Sequence, residues 1–142
     1  MTYNVLVVDD SPAMRSVIKK TILASGIDVD EFFEAGDGVE ALATLRNHRL
    51  DIILTDFNMP QMDGMELLLE LKNDDQLKNI PVVITTVEGS RKRVDAFMAK
   101  GAAGYITKPF TPEEVRDKLN HVLGVNSNGE RKTAASSEGI DF

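Results

Sequence analysis

The chain contains no cysteine and no tryptophan. Without cysteine there is no disulfide framework, no thiolate zinc site and no thiol nucleophile, and the absence fits a reducing, cytoplasmic setting. Aromatic residues make up only 6% of the chain, so a core must be built mainly from aliphatic side chains. Long apolar runs are missing too. Val5-Leu6-Val7-Val8 is typical, against the roughly 20 residues a bilayer span requires, so no membrane insertion is expected. The N-terminal stretch MTYNVLVVDD has no basic segment ahead of its apolar run and leads straight into acids, unlike a secretory signal. A basic surface is also lacking. The net charge is −7, which argues against direct nucleic-acid binding by the surface as a whole.

What is present is ordinary in amount and regular in pattern. The 142 residues are 42% hydrophobic, enough for one domain with a sizeable core. Short β-rich runs alternate with helical periodicity. Val5–Val8 is continuous and apolar, as in a strand buried on both faces. Ser11-Pro12 then reads as an N-cap followed by a first-turn proline, Met14, Val17, Ile18 and Ile22 recur at helical spacing, and Gly26 ends the helix. Glu31–Ala35 is a weaker strand. Asp37 and Glu40 form a capping-box pair before Leu42 and Leu45. Leu50–Thr55 is the third strand, and Asp63-Gly64-Met65-Glu66 opens a helix through about Lys72.

Pro81–Thr86 is the fourth strand. Val94, Phe97 and Met98 mark a helix ending at Lys100-Gly101, and Gly104–Thr107 is the fifth strand. Thr111-Pro112-Glu113-Glu114 starts a last helix with Val115, Leu119, Val122 and Leu123 on one face, closed by Gly124. Five β-α units in strict alternation imply a parallel sheet covered by helices on both faces. From Val125 onward the composition shifts to Ser, Asn, Gly and small residues without periodicity. A domain over residues 1–124 and a disordered tail over 125–142 are expected.

In such a sheet the ligand site lies beyond the carboxyl ends of the strands. Those ends carry Asp9-Asp10, Asp56, Thr86 and Lys108. Any one of them alone reads as a capping acid, a turn hydroxyl or a surface lysine; five on one edge read as a site. Three adjacent carboxylates repel unless protonated or bound to a cation. A hard ion such as Mg²⁺, which takes oxygen ligands and keeps waters, suits them, and the lack of a nearby His or Cys argues against zinc or copper. Lys108 balances further negative charge, and Thr86 is a hydrogen-bond donor to an oxyanion. One acid is itself a candidate phosphoryl acceptor. Asp56 is the natural choice, since it stands alone at a strand end while Asp9 and Asp10 form a pair suited to metal.

The segments VLVVDDS, LTDFNMPQMDG, PVVITT and GYITKPF resemble the four signature segments of the bacterial response-regulator receiver domain, over residues 4 to about 123. NMPQMDG and the tyrosine of GYITKPF are most similar to its stand-alone chemotaxis members. The resemblance implies a flavodoxin-like, doubly wound α/β fold with strand order 2-1-3-4-5. It implies a phosphoprotein rather than an enzyme, with Asp56 phosphorylated by a histidine kinase of the chemotaxis type. Self-phosphorylation from small phosphodonors and self-dephosphorylation would accompany that role. It implies Mg²⁺ on Asp10, Asp56 and the backbone carbonyl of Asn58, with Asp9 acting through water. Lys108 would pair with the phosphoryl group and precede a cis bond to Pro109, Thr86 would bond a phosphoryl oxygen, and Tyr105 would swing inward behind it. Asn58 and Glu88 would tune dephosphorylation. The output partner, a flagellar motor switch in the sharper version, would meet the face formed by the fourth helix, fifth strand and fifth helix. A phosphatase is a further possible partner, and a monomer is expected.

Other readings stay open at this point. Within the family, the chain is alternatively a phosphorelay carrier to a histidine phosphotransfer protein. A different class is an Mg²⁺-dependent phosphohydrolase with an aspartyl intermediate, which would want a second acid two residues past Asp56, where Asn58 stands. An FMN binder would want a Gly- or Ser/Thr-rich loop after the first strand, where Asp9-Asp10-Ser11-Pro12 stands. Arg91-Lys92-Arg93 reads equally as a solvated helix end or a partner contact. Met59, Met62 and Met65 read more readily as gap fillers than as a docking surface. His48 and His121 have no metal-ligand companion.

Overall fold

The computed structural model describes residues 2–87 and 91–124. Glu88 and the tail from residue 125 lie outside the described residues. In chain order the elements are β1 (Tyr3–Val8), α1 (Pro12–Ala24), β2 (Val29–Ala35), α2 (Gly38–Asn47), β3 (Ile52–Asp56), α3 (Gly64–Lys72), β4 (Val82–Val87), α4 (Arg91–Ala99), β5 (Gly104–Lys108) and α5 (Pro112–Leu123). The strands form one parallel sheet in the order β2-β1-β3-β4-β5. The expected fold class and strand order are therefore those of the structure.

The continuous apolar runs become the inner strands because helices cover both of their faces. Val5 to Val8, Ile52 to Leu54 and Val82 to Ile84 are all buried. β2, with three acids and only Ala35 fully buried, is an edge strand. One layer of core packs Leu6, Val8, Ile53 and Ile84 against Leu42 and Leu45 of α2, Leu67, Leu68 and Leu71 of α3, and Phe97 of α4. The other packs Val5, Val7, Ile52, Leu54 and Ile106 against Ile18 and Ile22 of α1 and Val115 and Leu119 of α5. Each fully buried Leu or Ile contributes roughly 1.5–3 kcal/mol relative to exposure.

The caps lock the helix starts that face the functional edge. Ser11 Oγ accepts from Met14 N, and reciprocal capping boxes form at Asp63–Glu66 and Thr111–Glu114. At α2 the expected box is only half made. Asp37 accepts from Glu40 N, but the Glu40 carboxylate reaches past Asp37 and accepts from Gly36 N at 3.0 Å. β3 begins at Ile52 rather than Leu50 for a similar reason. The Asp51 carboxylate accepts Asn4 N at 2.8 Å, in place of a β3 carbonyl, so the ladder starts two residues later, at Val5 opposite Ile52. Gly124 closes α5 with φ 72°, a left-handed position that glycine adopts without strain.

Candidate functional site

Strand alternation aims the key side chains at one point. Along β3, Ile52, Leu54 and Asp56 share a face; along β5, Ile106 and Lys108 share the same one, above the α1/α5 layer of core. Asp9 continues the Val5, Val7 series of β1. Buried aliphatics thus lead, one step beyond the core, to ionisable groups. Asp9 is only 2% exposed. Its backbone N–H donates to Ala35 O at 3.0 Å, and its Oδ1 accepts from Ser11 N at 2.9 Å. Asp10 follows and is exposed.

Lys108 Nζ lies 3.4 Å from Asp9 Oδ2 and 3.4 Å from Asp56 Oδ1. Asp56 Oδ1 also accepts from Phe57 N at 2.8 Å. Burial pushes the Asp56 carboxyl above the usual aspartate range, and the nearby Asp9 charge pushes the same way. The Lys108 ammonium and the Phe57 N–H pull it down, and burial wins. Asp9, Asp10 and Asp56 each present a carboxylate oxygen, all within 4.8 Å of one another. A tight set of hard oxygen donors with one open, exposed member fits Mg²⁺ and not a soft metal.

The β3–α3 loop closes over this point. Gly64 N donates to Phe57 O at 2.9 Å, and a Cβ on Gly64 would meet the Asp56 carbonyl oxygen at 2.5 Å, so only glycine fits. Gln61 takes φ 66° within the same loop. Asn58 is exposed and lines an open depression with Asp10, Met59, Pro60 and Asp63. Met59, Met62 and Met65 pack on the α2/α3 core, which is the gap-filling role.

Thr86 and Tyr105 occupy the sheet's opposite face. Asp56 pairs with Thr85, while Thr86 pairs with Thr107 and Ile84 with Tyr105. Thr86 is 6% exposed, and its hydroxyl donates weakly to Val87 O at 3.4 Å. The Tyr105 ring is already partly buried against the core, with Lys118 Nζ 5.3 Å from its centroid. The Lys108–Pro109 bond is cis, as expected. Arg93 is not simply a solvated helix end: its guanidinium lies over the Phe57 ring, 4.6 Å from the centroid. His48 stacks on Phe33, and His121 lies on α5 beside Lys118 and Asp117.

Two contributors were not read from the sequence. Phe57 bonds Asp56 through its backbone and packs edge-on against Phe97 at 5.0 Å. Arg15 donates through Nη1 to the Asp9 carbonyl. The only sequence signal for Arg15 is its place one turn after the Ser11 cap, which puts it over the β1–α1 turn.

The chain matches the family model of the response regulator receiver domain over residues 5–120. It is 41% identical over 122 residues to the chemotaxis protein CheY1 of Helicobacter pylori, covering 85% of this chain and 97% of that one. Among solved structures it resembles the chemotaxis response regulator CheY4 of Vibrio cholerae, with a TM-score of 0.75 and 35% identity, covering 86% of this chain and 99% of that one. The receiver domain of a Pseudomonas aeruginosa sensor histidine kinase, solved with a magnesium ion coordinated in its active-site cleft, shares the fold at a TM-score of 0.75 and 23% identity, covering 87% and 99%.

Proposed function

Because the chain belongs to the response regulator receiver family, we propose that its receiver domain, over residues 1–124, accepts a phosphoryl group on Asp56 and signals by binding another protein. Receiver domains work in two-component signalling, taking instruction from histidine kinases and passing it to output targets. The observation that carries the proposal is the meeting of Asp56 with the Lys108 ammonium at 3.4 Å, beside two further acids.

The transfer balances simply. The phosphorus–nitrogen bond of a kinase phosphohistidine breaks, a phosphorus–oxygen bond to the Asp56 carboxylate forms, and the released imidazole takes up a proton. Asp56 must be ionised to attack; burial opposes that charge, while the Lys108 ammonium and the Phe57 N–H favour it, and a bound cation would favour it further. Lys108 offsets the negative charge added by the phosphoryl oxygens. Asp10, Asp56 and the Asn58 carbonyl would hold Mg²⁺, with Asp9 acting through water. When bound there, Mg²⁺ would supply positive charge that offsets the carboxylates and the phosphoryl oxygens.

Thr86, whose side chain starts on the opposite face near the end of β4, then gives up its weak bond to Val87 O and turns over the strand end to bond a phosphoryl oxygen, and Tyr105, on that opposite face, repacks behind it. That changes the α4-β5-α5 surface presented to the output partner. The sharper form of the proposal is a chemotaxis regulator acting on the flagellar motor. The test is intact-mass spectrometry after incubation with acetyl phosphate and Mg²⁺. One phosphoryl mass is expected on the wild type and none on Asp56→Asn; labelling that persists in the variant would place the acceptor elsewhere.

A further inference from the structure

We infer that Arg15 is a positioning residue for the metal-binding turn, holding the peptide plane from which Asp10 departs, and that Glu34 of the edge strand β2 holds Arg15 in that role. The inference rests on the proposed Mg²⁺ site and concerns how that site is kept in shape. Arg15 Nη1 donates to the carbonyl of Asp9, while its Nε sits 2.9 Å from Glu34 Oε1. Lys19 Nζ takes the other oxygen of Glu34 at 2.6 Å. The hydrogen bond from Lys19 draws the Glu34 carboxyl below its usual range despite partial burial, and Arg15 adds to this. The Arg15 side chain is 17% exposed, so its guanidinium is mostly withdrawn from water.

The geometry has a direct consequence. The Asp9 carbonyl and the Asp10 N–H belong to one planar peptide unit. Asp9 is fixed on its other side by its own N–H to Ala35 O and by its carboxylate to Ser11 N. Asp10 is exposed, and no side-chain hydrogen bond of its own holds it among the described residues. Arg15 is thus the side chain that fixes the plane between the two acids and the direction in which the Asp10 carboxylate leaves the backbone. Its planar fork serves the two acceptors from separate nitrogens held at fixed angles, whereas a lysine offers a single ammonium on a flexible stem.

Charge and geometry predict opposite signs, which makes the inference testable. Arg15 is a cation hydrogen-bonded to the Asp9 carbonyl, next to the acids that would hold the metal. If it acted only through its field, its removal would tighten Mg²⁺ binding; if it positions the turn, removal weakens binding. Partners that orient a ligand typically matter by 10–100-fold in affinity, and one acting through a backbone carbonyl should matter less, about three- to tenfold.

Mg²⁺ affinity is to be measured by amide NMR titration of the whole chain. Urea midpoints are recorded alongside, and the Asp10 and Ser11 amide shifts are followed without metal. Arg15→Ala should weaken Mg²⁺ binding about three- to tenfold and move both amides before any metal is added. Arg15→Lys should fall between it and the wild type, and Lys19→Met, which removes the same charge without touching Asp9, should stay within about twofold. Tighter or unchanged binding in Arg15→Ala would overturn the inference. Wild-type affinity in Arg15→Lys would do the same, and that variant serves where Arg15→Ala does not fold. A wild-type protein that binds no Mg²⁺ would instead sink the metal site itself, and the inference with it.

Discussion

The Lys108 ammonium stands 3.4 Å from Asp56 Oδ1, although the two residues come from strands separated in the sheet by β4. The same ammonium is 3.4 Å from Asp9 Oδ2. A cation already sits beside the oxygens that a metal ion would need. Removing it should therefore tighten Mg²⁺ binding while depriving the phosphoryl group of its counter-charge. Lys108→Met is expected to bind Mg²⁺ about two- to fivefold more tightly, the range of a partly exposed ion pair, and to label from acetyl phosphate far more slowly. Weaker Mg²⁺ binding in this variant would contradict the assigned role.

Asp56 links stability to pH. Its folded-state pKa is raised by burial, so ionised Asp56 destabilises the folded protein. That cost is absent below the unfolded pKa of an aspartate and sets in as pH rises through the folded value. In metal-free buffer, Asp56→Asn should therefore be more stable than wild type at neutral pH. The gain is at most about 1 kcal/mol, because Lys108 loses a partner at the same time. It should vanish under acid conditions. Urea unfolding at several pH values checks this, and a gain independent of pH would refute it. Added Mg²⁺ should reverse the order at neutral pH, since it stabilises only the form that binds it.

Asn58 is exposed on the rim of the depression beside Asp10. A polar group there can orient water toward a phosphoryl group on Asp56, and an apolar one would shield it. Asn58→Met should lengthen the half-life of the phosphorylated protein, by about two- to tenfold if one water-orienting hydrogen bond is lost. The decay of the phosphorylated mass with time measures it, and an unchanged rate removes Asn58 from the account.

Thr86 and Tyr105 share a sheet face, on β-strands whose register sets Thr86 against Thr107 and Ile84 against Tyr105. If the Thr86 hydroxyl reports the phosphoryl group, Thr86→Ala should still be phosphorylated on Asp56. The Tyr105 ring should then no longer respond. NMR of the Tyr105 ring with and without beryllofluoride is the readout, since the chain has no tryptophan. The wild-type ring should change environment and the variant's should not; an identical wild-type ring in both states would discard the switch.

The sequence alone determined the strands and the residues at their ends. Runs such as Val5–Val8 and Ile52–Leu54 announce burial on two faces, and the acids or the lysine that follow stand where a parallel sheet opens to solvent. Strict β-α alternation was enough to place those ends on one edge, because parallel strands need crossovers and crossovers have one hand. Tertiary structure decided what those residues touch. Lys108 meets Asp9 across 99 positions of sequence, a contact set by strand order and register rather than by any local pattern. Thr86 lands on the face away from Asp56 because one step along a strand reverses the side chain. Arg15 reaches a carbonyl and Phe57 bonds through its N–H, and backbone partners leave no mark in periodicity or composition. The half-made cap at Asp37 has the same origin: whether Glu40 bonds Asp37 or Gly36 depends on how the loop bends, which residue types do not specify.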